Sequence, residues 1–458
     1  MKLKNIICII LSMSLMTACN NVSQNSIIET SESTDSQITT SKNDDIIITI
    51  PSNDYMNDYM MEYAKEFNAE NNGYRVVFKD YSKFYDNALN DQSGLPTYEA
   101  HFGIDENICL DIIKGNDLDI IPDCVFYNKG KYDALESKGA FMDLYPFLEK
   151  DDDVNINTLS DNIINLHKRD DKLYSLPLFY SIDTLMGYSN YVGTKENWTL
   201  DDLIQKWNLM PEGSTFNGKD TKEYVYMCIL RGNYNSFIDI SDKTTSFDSP
   251  QFLRILEFIN SFSDPLPYKT DGDYSKPTFL IPVQIYNFEN YHDTLWNTRN
   301  DEVTFVGYPT SNNSGAYINT ENMRISISSL SSPDVQKGAW QFIKHFAEYN
   351  YQYENSENSF PVNKKAFESR GMQIIENPED ETISIKGDEY EIGSLSLKEY
   401  NRLNNYISTI NNRIDTNDYD INKIVNDEIF LMINGEKTPE EAAQMIQNRV
   451  SIMISEKY

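Results

Sequence analysis

Residues 45–80 read DIIITIPSNDYMNDYMMEYAKEFNAENNGYRVVFKD. Asp45 to Ile50 is a short β-branched run, the pattern of a buried strand. The polar break Pro51-Ser52-Asn53-Asp54 ends it and can start a helix. Between 55 and 71, Met56, Tyr59, Met60, Tyr63 and Phe67 recur at helical spacing. Asn72-Gly73 is a stop signal. Tyr74 to Asp80 (YRVVFKD) then reads as a second strand. Strand, helix and strand of this length make a βαβ unit.

The same alternation continues downstream. A helix is expected over 103–114, an apolar strand over 118–121 running into Pro122-Asp123, and a short helix from Lys131 to Lys138 capped by Gly139. Lys172 to Ser189 (KLYSLPLFYSIDTLMGYS) is mostly extended. Thr199 caps a helix that follows Trp198, with Asp202 three residues on. Further helices are expected over 251–262 and 334–349, with strands at 303–308 (VTFVGY) and 324–328. Thr438-Pro439-Glu440-Glu441 is a strong helix start: N-cap, proline at the first position, acids in the first turn. Short strands alternating with helices predict an α/β architecture. No Gly-rich phosphate loop and no repeat of 20–50 residues is present in the sequence.

The first residues carry a different signal. Lys2 and Lys4 precede an apolar run from Ile6 to Met16, then Thr17, Ala18 and Cys19. That is the order of a secretory signal peptide over 1–18, and the run is too short to span a bilayer, which needs roughly 20 residues. Leu15-Met16-Thr17-Ala18-Cys19 resembles a bacterial lipobox, which implies lipidation of Cys19 and an anchor in the cell membrane. Residues 19–44 are rich in Ser, Thr and Asn and read as a flexible tether. About 410 residues follow, enough for two or three domains. The formal charge is −32, which excludes nucleic acid as a partner and disfavours anionic lipid surfaces. Cys109, Cys124 and Cys228 leave two readings open, one disulfide or three free thiols. The four histidines have no metal-ligand spacing, so no metal and no cofactor is expected.

Several segments, taken in order, resemble the extracellular solute-binding proteins (family 1, carbohydrate type) of bacterial ABC transporters. They are FNAENNGYRVVFKDYS (67–82), LDIIKGNDLDIIPDCV (110–125), SKGAFMDLYPFL (137–148), DDKLYSLPLFYSIDTLMGYSNYVG (170–193), NWTLDDL (197–203), VGYPTSNNSG (306–315), SISSLSSPDVQKGAWQFIKHF (326–346), SFPVNKKAFE (359–368) and INGEKTPEEAAQMI (433–446). A Gly-x-Trp common in the family is missing where this chain reads VQIYNFENYHD (283–293). The resemblance implies a two-lobe, periplasmic-binding-protein-like (type 2) fold with discontinuous lobes and a hinge. The expected N-lobe is 45–180 with 283–325, and the expected C-lobe is 181–282 with 326–458. Crossings between them are expected near 178–184, 278–284 and 324–329. It also implies a monomer outside the cytoplasm that binds a carbohydrate and delivers it to ABC permease subunits.

A sugar presents weakly apolar C–H faces and directional hydroxyls, so its site needs aromatic rings beside paired polar groups. Four places have that composition near an expected cleft edge: Asp54 and Tyr55; Asp123 and Tyr127; Phe179, Tyr180 and Asp183; and Tyr286, Asn287, Phe288 and Tyr291. Trp296, beside Asn297, is a further candidate. Each has a competing structural reading. Phe179, Tyr180, Phe288 and Tyr291 equally suit core packing, and Asp123 equally suits a turn cap. A glycosidase would need two carboxylates at a set separation, and no local motif marks such a pair. A Ser-His hydrolase would show a Gly-x-Ser-x-Gly elbow, which the sequence lacks, so no catalytic residue is expected. A pure adhesion or surface-scaffold lipoprotein is the third class, and a surface lipoprotein that binds a non-sugar polar solute is a further alternative.

Overall fold

The computed structural model describes residues 45–53, 58–85, 98–230, 233–240, 242–264, 275–298, 302–309, 315–377, 382–385, 388–391, 393–414 and 418–457. The expected signal peptide, Cys19 and the tether lie outside these residues. In chain order the strands that build the fold are β1 (Ile46–Ser52), β2 (Tyr74–Asp80), β3 (Ile120–Pro122), β4 (Leu176–Pro177), β5 (Phe179–Tyr188), β6 (Ile281–Ile285), β7 (Val303–Phe305), β8 (Tyr317–Asn319), β9 (Arg324–Ile327), β10 (Phe360–Pro361) and β11 (Asn412–Arg413). The helices of eight or more residues are α1 (Asp58–Ala69), α2 (Phe102–Lys114), α3 (Lys129–Ser137), α4 (Leu200–Trp207), α5 (Lys222–Ile229) and α6 (Pro250–Asn260), then α7 (Phe288–Trp296), α8 (Pro333–Ile343), α9 (Lys364–Glu376), α10 (Leu397–Thr409), α11 (Tyr419–Ile433) and α12 (Pro439–Lys457). No helix among the described residues is long and apolar enough to cross a membrane.

The opening βαβ unit forms as its local pattern dictates. β1 and β2 pair in parallel, and Ile48 and Ile50 of β1 are fully buried. The Asn68 side chain fastens the end of α1 to β2, donating to the Val76 carbonyl at 2.9 Å and accepting from its N–H at 2.7 Å. β3 lies beside β1 and pairs antiparallel with β9, which also pairs with β4. These elements enclose a first hydrophobic core, together with α8 and α10. A second core is built from Trp198 and α4, α5, α6, α11 and α12. Phe216, Phe258, Phe262, Phe279 and Trp207 meet there ring to ring. The Thr199–Asp202 capping box starts α4, with the Asp202 N–H donating to the Thr199 hydroxyl at 3.2 Å and the Thr199 N–H donating to the Asp202 carboxylate at 2.9 Å.

The central strand β5 serves both cores. β5 pairs antiparallel with β6, β7, β8 and β10, and β8 pairs in parallel with β11. Successive side chains of a strand point to opposite faces. Tyr180, Ile182 and Met186 therefore lie with Val283, Ile285, Phe305 and Ile318 in the first core, under α10. The Thr184 and Tyr406 hydroxyls bond at 2.7 Å across that face. Leu185 and Tyr317 point the other way, into the second core. The cores also meet where Asn128, the N-cap of α3, accepts from the Tyr419 N–H at 3.1 Å. Its amide donates to Asp420 at 3.3 Å. The Asp418 carboxylate occupies the space where any side chain at Gly130 would stand.

The third crossing differs from expectation. Residues 326–347 do not join the second lobe, and the chain returns to it after β11, between α10 and α11. The physical cause is a buried charge cluster that ties β9 to the first core. The Arg324 guanidinium donates to Asp123 at 2.9 Å and to Asp133 at 2.9 Å, and its backbone N–H donates to Asp123 at 3.1 Å. All three side chains are buried. The apolar face of α8 then continues the same core. Phe342 packs on Tyr63, and the rings of Tyr63 and His345 stack at 3.7 Å. The three cysteines of the folded body are free thiols.

Two outcomes follow from these buried groups. Arg324→Met strands two buried carboxylates, and urea unfolding is expected to report a loss of about 3–5 kcal/mol; a loss below about 1 kcal/mol would contradict the role given to this cluster. Asp105 accepts the N–H groups of Tyr127 at 3.0 Å and Asn128 at 2.8 Å, yet burial pushes its carboxyl up to about 6. A carboxyl raised in the folded state binds its proton more tightly than in the unfolded chain. Its contribution to stability therefore grows as pH falls from 7 toward 5. Thermal unfolding at those two pH values is expected to show a smaller gain for Asp105→Asn than for the unmodified chain.

Candidate functional site

The face of the central sheet turned away from α10 is polar. Asp183 stands opposite Gln284 of β6 and Tyr317 of β8. Ser181, two residues before it on the same face, stands opposite Asn319. The Gln284 amide donates to the Ser181 hydroxyl at 3.4 Å. The Asn319 amide donates to the Asp183 carboxylate at 3.1 Å. Burial pushes the Asp183 carboxyl up to about 6, and the Asn319 bond offsets that only in part. A partly buried carboxylate held by one amide is a strong acceptor that still has lone pairs to fill.

Two tyrosines of the second core complete this place. The Tyr317 hydroxyl donates to Asn233 at 2.6 Å, and its ring meets Tyr308 edge to face at 5.8 Å. The Tyr308 hydroxyl is pushed well up, by burial first and by the charge of Asp183 second. Gly307 makes this approach feasible. Its φ is +70°, and a Cβ there would lie 2.3 Å from the Gly315 backbone, with which Tyr308 pairs. The result is a cluster of carboxylate, amides and phenols drawn from both cores and set at their junction. Groups of this kind hold hydroxylated ligands by directional hydrogen bonds.

A second aromatic group lies at the other contact between the cores. The Tyr127 ring stacks on His101 at 4.0 Å, and Tyr85 meets His101 edge-on at 5.0 Å. The neighbouring Phe102 packs edge-on against Tyr419 of α11 at 5.2 Å. The Tyr419 hydroxyl donates to Glu99 at 2.5 Å.

The structure separates the sequence candidates into four sets. Asp183 and Tyr127 stand at the junctions just described. Phe179 is half-buried near Tyr351, Tyr286 is exposed, and Trp296 is half-buried at the end of α7. Asn287 is the N-cap of α7, accepting from the Asn290 N–H at 2.6 Å, and its amide donates to the Glu357 carbonyl. Asp54 and Tyr55 lie outside the described residues.

Four candidates are corrected. Asp123 is fully buried and spent on Arg324. Tyr180 points to the core face of β5 and packs on Phe360 at 5.5 Å. Phe288 lies among Phe360, Phe367 and Tyr400. Tyr291 is fully buried beside Phe305. Strand alternation turns Tyr180 inward, and the i, i+3 spacing of Phe288 and Tyr291 makes them the apolar stripe of α7. Sequence reasoning missed Asn319, Tyr308, Tyr317, Asn233 and His101. Period-two alternation in Tyr317-Ile318-Asn319 was the available signal for two of them.

No family model matches the chain, and no curated protein does. Among solved structures it is similar to a periplasmic oligogalacturonide binding protein from Yersinia enterocolitica, with a TM-score of 0.55 and 13% sequence identity over 90% of this chain and 100% of that one. It is also similar to the sugar-binding protein MalE from Xanthomonas citri, with a TM-score of 0.50 and 9% identity over 90% of this chain and 98% of that one. At such identities the likeness is one of fold. The two cores, joined by β5, form the two-lobe α/β fold of the periplasmic solute-binding proteins.

Proposed function

We propose that this protein is the substrate-binding lipoprotein of an ABC importer, capturing a sugar or oligosaccharide between its lobes and delivering it to permease subunits. The observation that carries this reading is the polar face of the central sheet, where Asp183 and Asn319 stand beside Tyr308 and Tyr317 at the junction of two cores. Carboxylate and amide groups serve sugar hydroxyls, and tyrosines offer both a ring and a hydroxyl. The similar proteins from Yersinia enterocolitica and Xanthomonas citri are described as oligogalacturonide-binding and sugar-binding, which agrees with this class of ligand.

Asp183 is proposed to accept from ligand hydroxyls, and Tyr127, Phe179, Tyr286 and Trp296 to line the cleft wall. Asp54 and Tyr55 are proposed to contribute to the same site. Binding is proposed to draw the lobes together by a hinge motion about the crossings. Cys19 is proposed to carry the lipid that holds the mature chain, a monomer, at the outer face of the cell membrane. More than one acyl chain is needed for firm anchoring, since each buried CH₂ contributes about 0.8 kcal/mol. The reading is of a binding protein, not an enzyme.

Two measurements test these points. A thermal-shift screen of the chain from Asn20 onward, against mono- and oligosaccharides, is expected to find a class that raises Tm. A ligand at 100 times its Kd stabilises by about 2.7 kcal/mol, which is a rise of about 2–4 °C or somewhat less for a body of this size. Recovery of the sugar unchanged supports the receptor reading, cleavage supports an enzyme, and no shift with any sugar removes the carbohydrate reading. Cys19→Ser is expected to move the protein from the membrane fraction to the soluble one; retention in the membrane fraction would contradict the anchor.

A further inference from the structure

Among the described side chains that β5, β6 and β8 turn to the polar sheet face, one is a carboxylate. Of these, Ser181, Gln284, Tyr317 and Asn319 are neutral, and only Asp183 is ionisable in the neutral range. Burial works against its charge, and the Asn319 amide is the group that relieves it; no described lysine or arginine contributes. Like Asp105, which accepts only backbone N–H groups, Asp183 lacks an ion pair among the described residues, in contrast to three carboxylates that hold the first core. Asp123 and Asp133 have Arg324 within 2.9 Å, and Glu136 has Arg169 at 3.3 Å. Arg324 and Arg169 are thus committed to carboxylates that hold the core, and among the described residues no lysine or arginine pairs with Asp183 at the lobe junction.

A carboxylate in that state gains most from a partner that donates hydrogen bonds, and most opposes a second negative charge. The geometry points to Asp183 as the residue that sets specificity: it favours a saccharide that brings hydroxyl donors to this face and rejects the corresponding uronate. The inference rests on the saccharide reading above and narrows it. Discrimination arises from a repulsive element as well as an attractive one. It also separates this chain from the similar Yersinia enterocolitica protein, which is described as binding an oligogalacturonide, an acidic sugar chain.

Calorimetric titration at pH 8 tests this with matched pairs, a neutral disaccharide and the same disaccharide oxidised to a carboxylate at C6. The mature chain is expected to bind the neutral member of a recognised pair at least tenfold more tightly. In Asp183→Asn the neutral sugar is expected to bind about tenfold or more weakly, and the neutral-to-uronate ratio to collapse toward one. The unliganded Tm of the variant reports whether it is folded, and the selectivity of the unsubstituted protein stands without the variant. Equal or tighter binding of the uronate, or a ratio that Asp183→Asn leaves unchanged, overturns the inference and leaves the saccharide reading standing. Binding of neither member of any pair, by a protein with a cooperative melt, removes the saccharide reading and this inference together.

Discussion

The two-sidedness of a single strand governs this molecule. β5 is ten residues long and pairs with four other strands. Because a strand alternates its side chains, its residues must satisfy a core on one face and something else on the other. Tyr180, Ile182, Thr184 and Met186 complete the first core under α10, while Ser181, Asp183 and Leu185 face the second lobe. Shifting β5 by one residue would bury Asp183 under α10 and expose Tyr180 and Ile182. The apolar face therefore fixes the register, and the register presents the carboxylate at the lobe junction.

The first lobe is closed by charge as much as by apolar packing. Arg324 reaches Asp123 and Asp133, which lie 201 and 191 residues earlier. Such a cluster is costly to bury and more costly to break. It specifies where the returning strand β9 docks, and α8 follows it onto the first core. The third crossing, into the other lobe, is thereby delayed until after α10. Asn128 then bridges the seam by capping α3 and accepting the first N–H of α11 as well.

Local features were legible in the sequence because local physics sets them. The β-branched run of β1, the helical spacing of Tyr59, Tyr63 and Phe67, and the Thr199 and Pro439 helix starts all appear where their patterns put them. The partition of 326–410 between lobes was not legible, since it depends on the long-range contacts of Arg324. The candidate site was legible in part. Asp183 was a candidate from composition, and strand alternation separates it from Tyr180, one of the four misassigned residues. The spacing of Phe288, Tyr291 and Leu295 likewise carried the core signal that a search for aromatic rings overlooks. Asn233 and Tyr308 come to the site through turns such as the one at Gly307, whose closing partner is Gly315. No pattern within a short window reports that pairing.

The binding role proposed for the polar face of β5 entails that the lobes move against each other about the crossings. Small-angle X-ray scattering of the chain from Asn20 onward, with and without a saccharide that raises its Tm, measures that motion directly. The account predicts a smaller radius of gyration in the bound state, as the lobes close over the Asp183 face. An unchanged radius of gyration at saturation would contradict it and would place the ligand on the surface of one lobe.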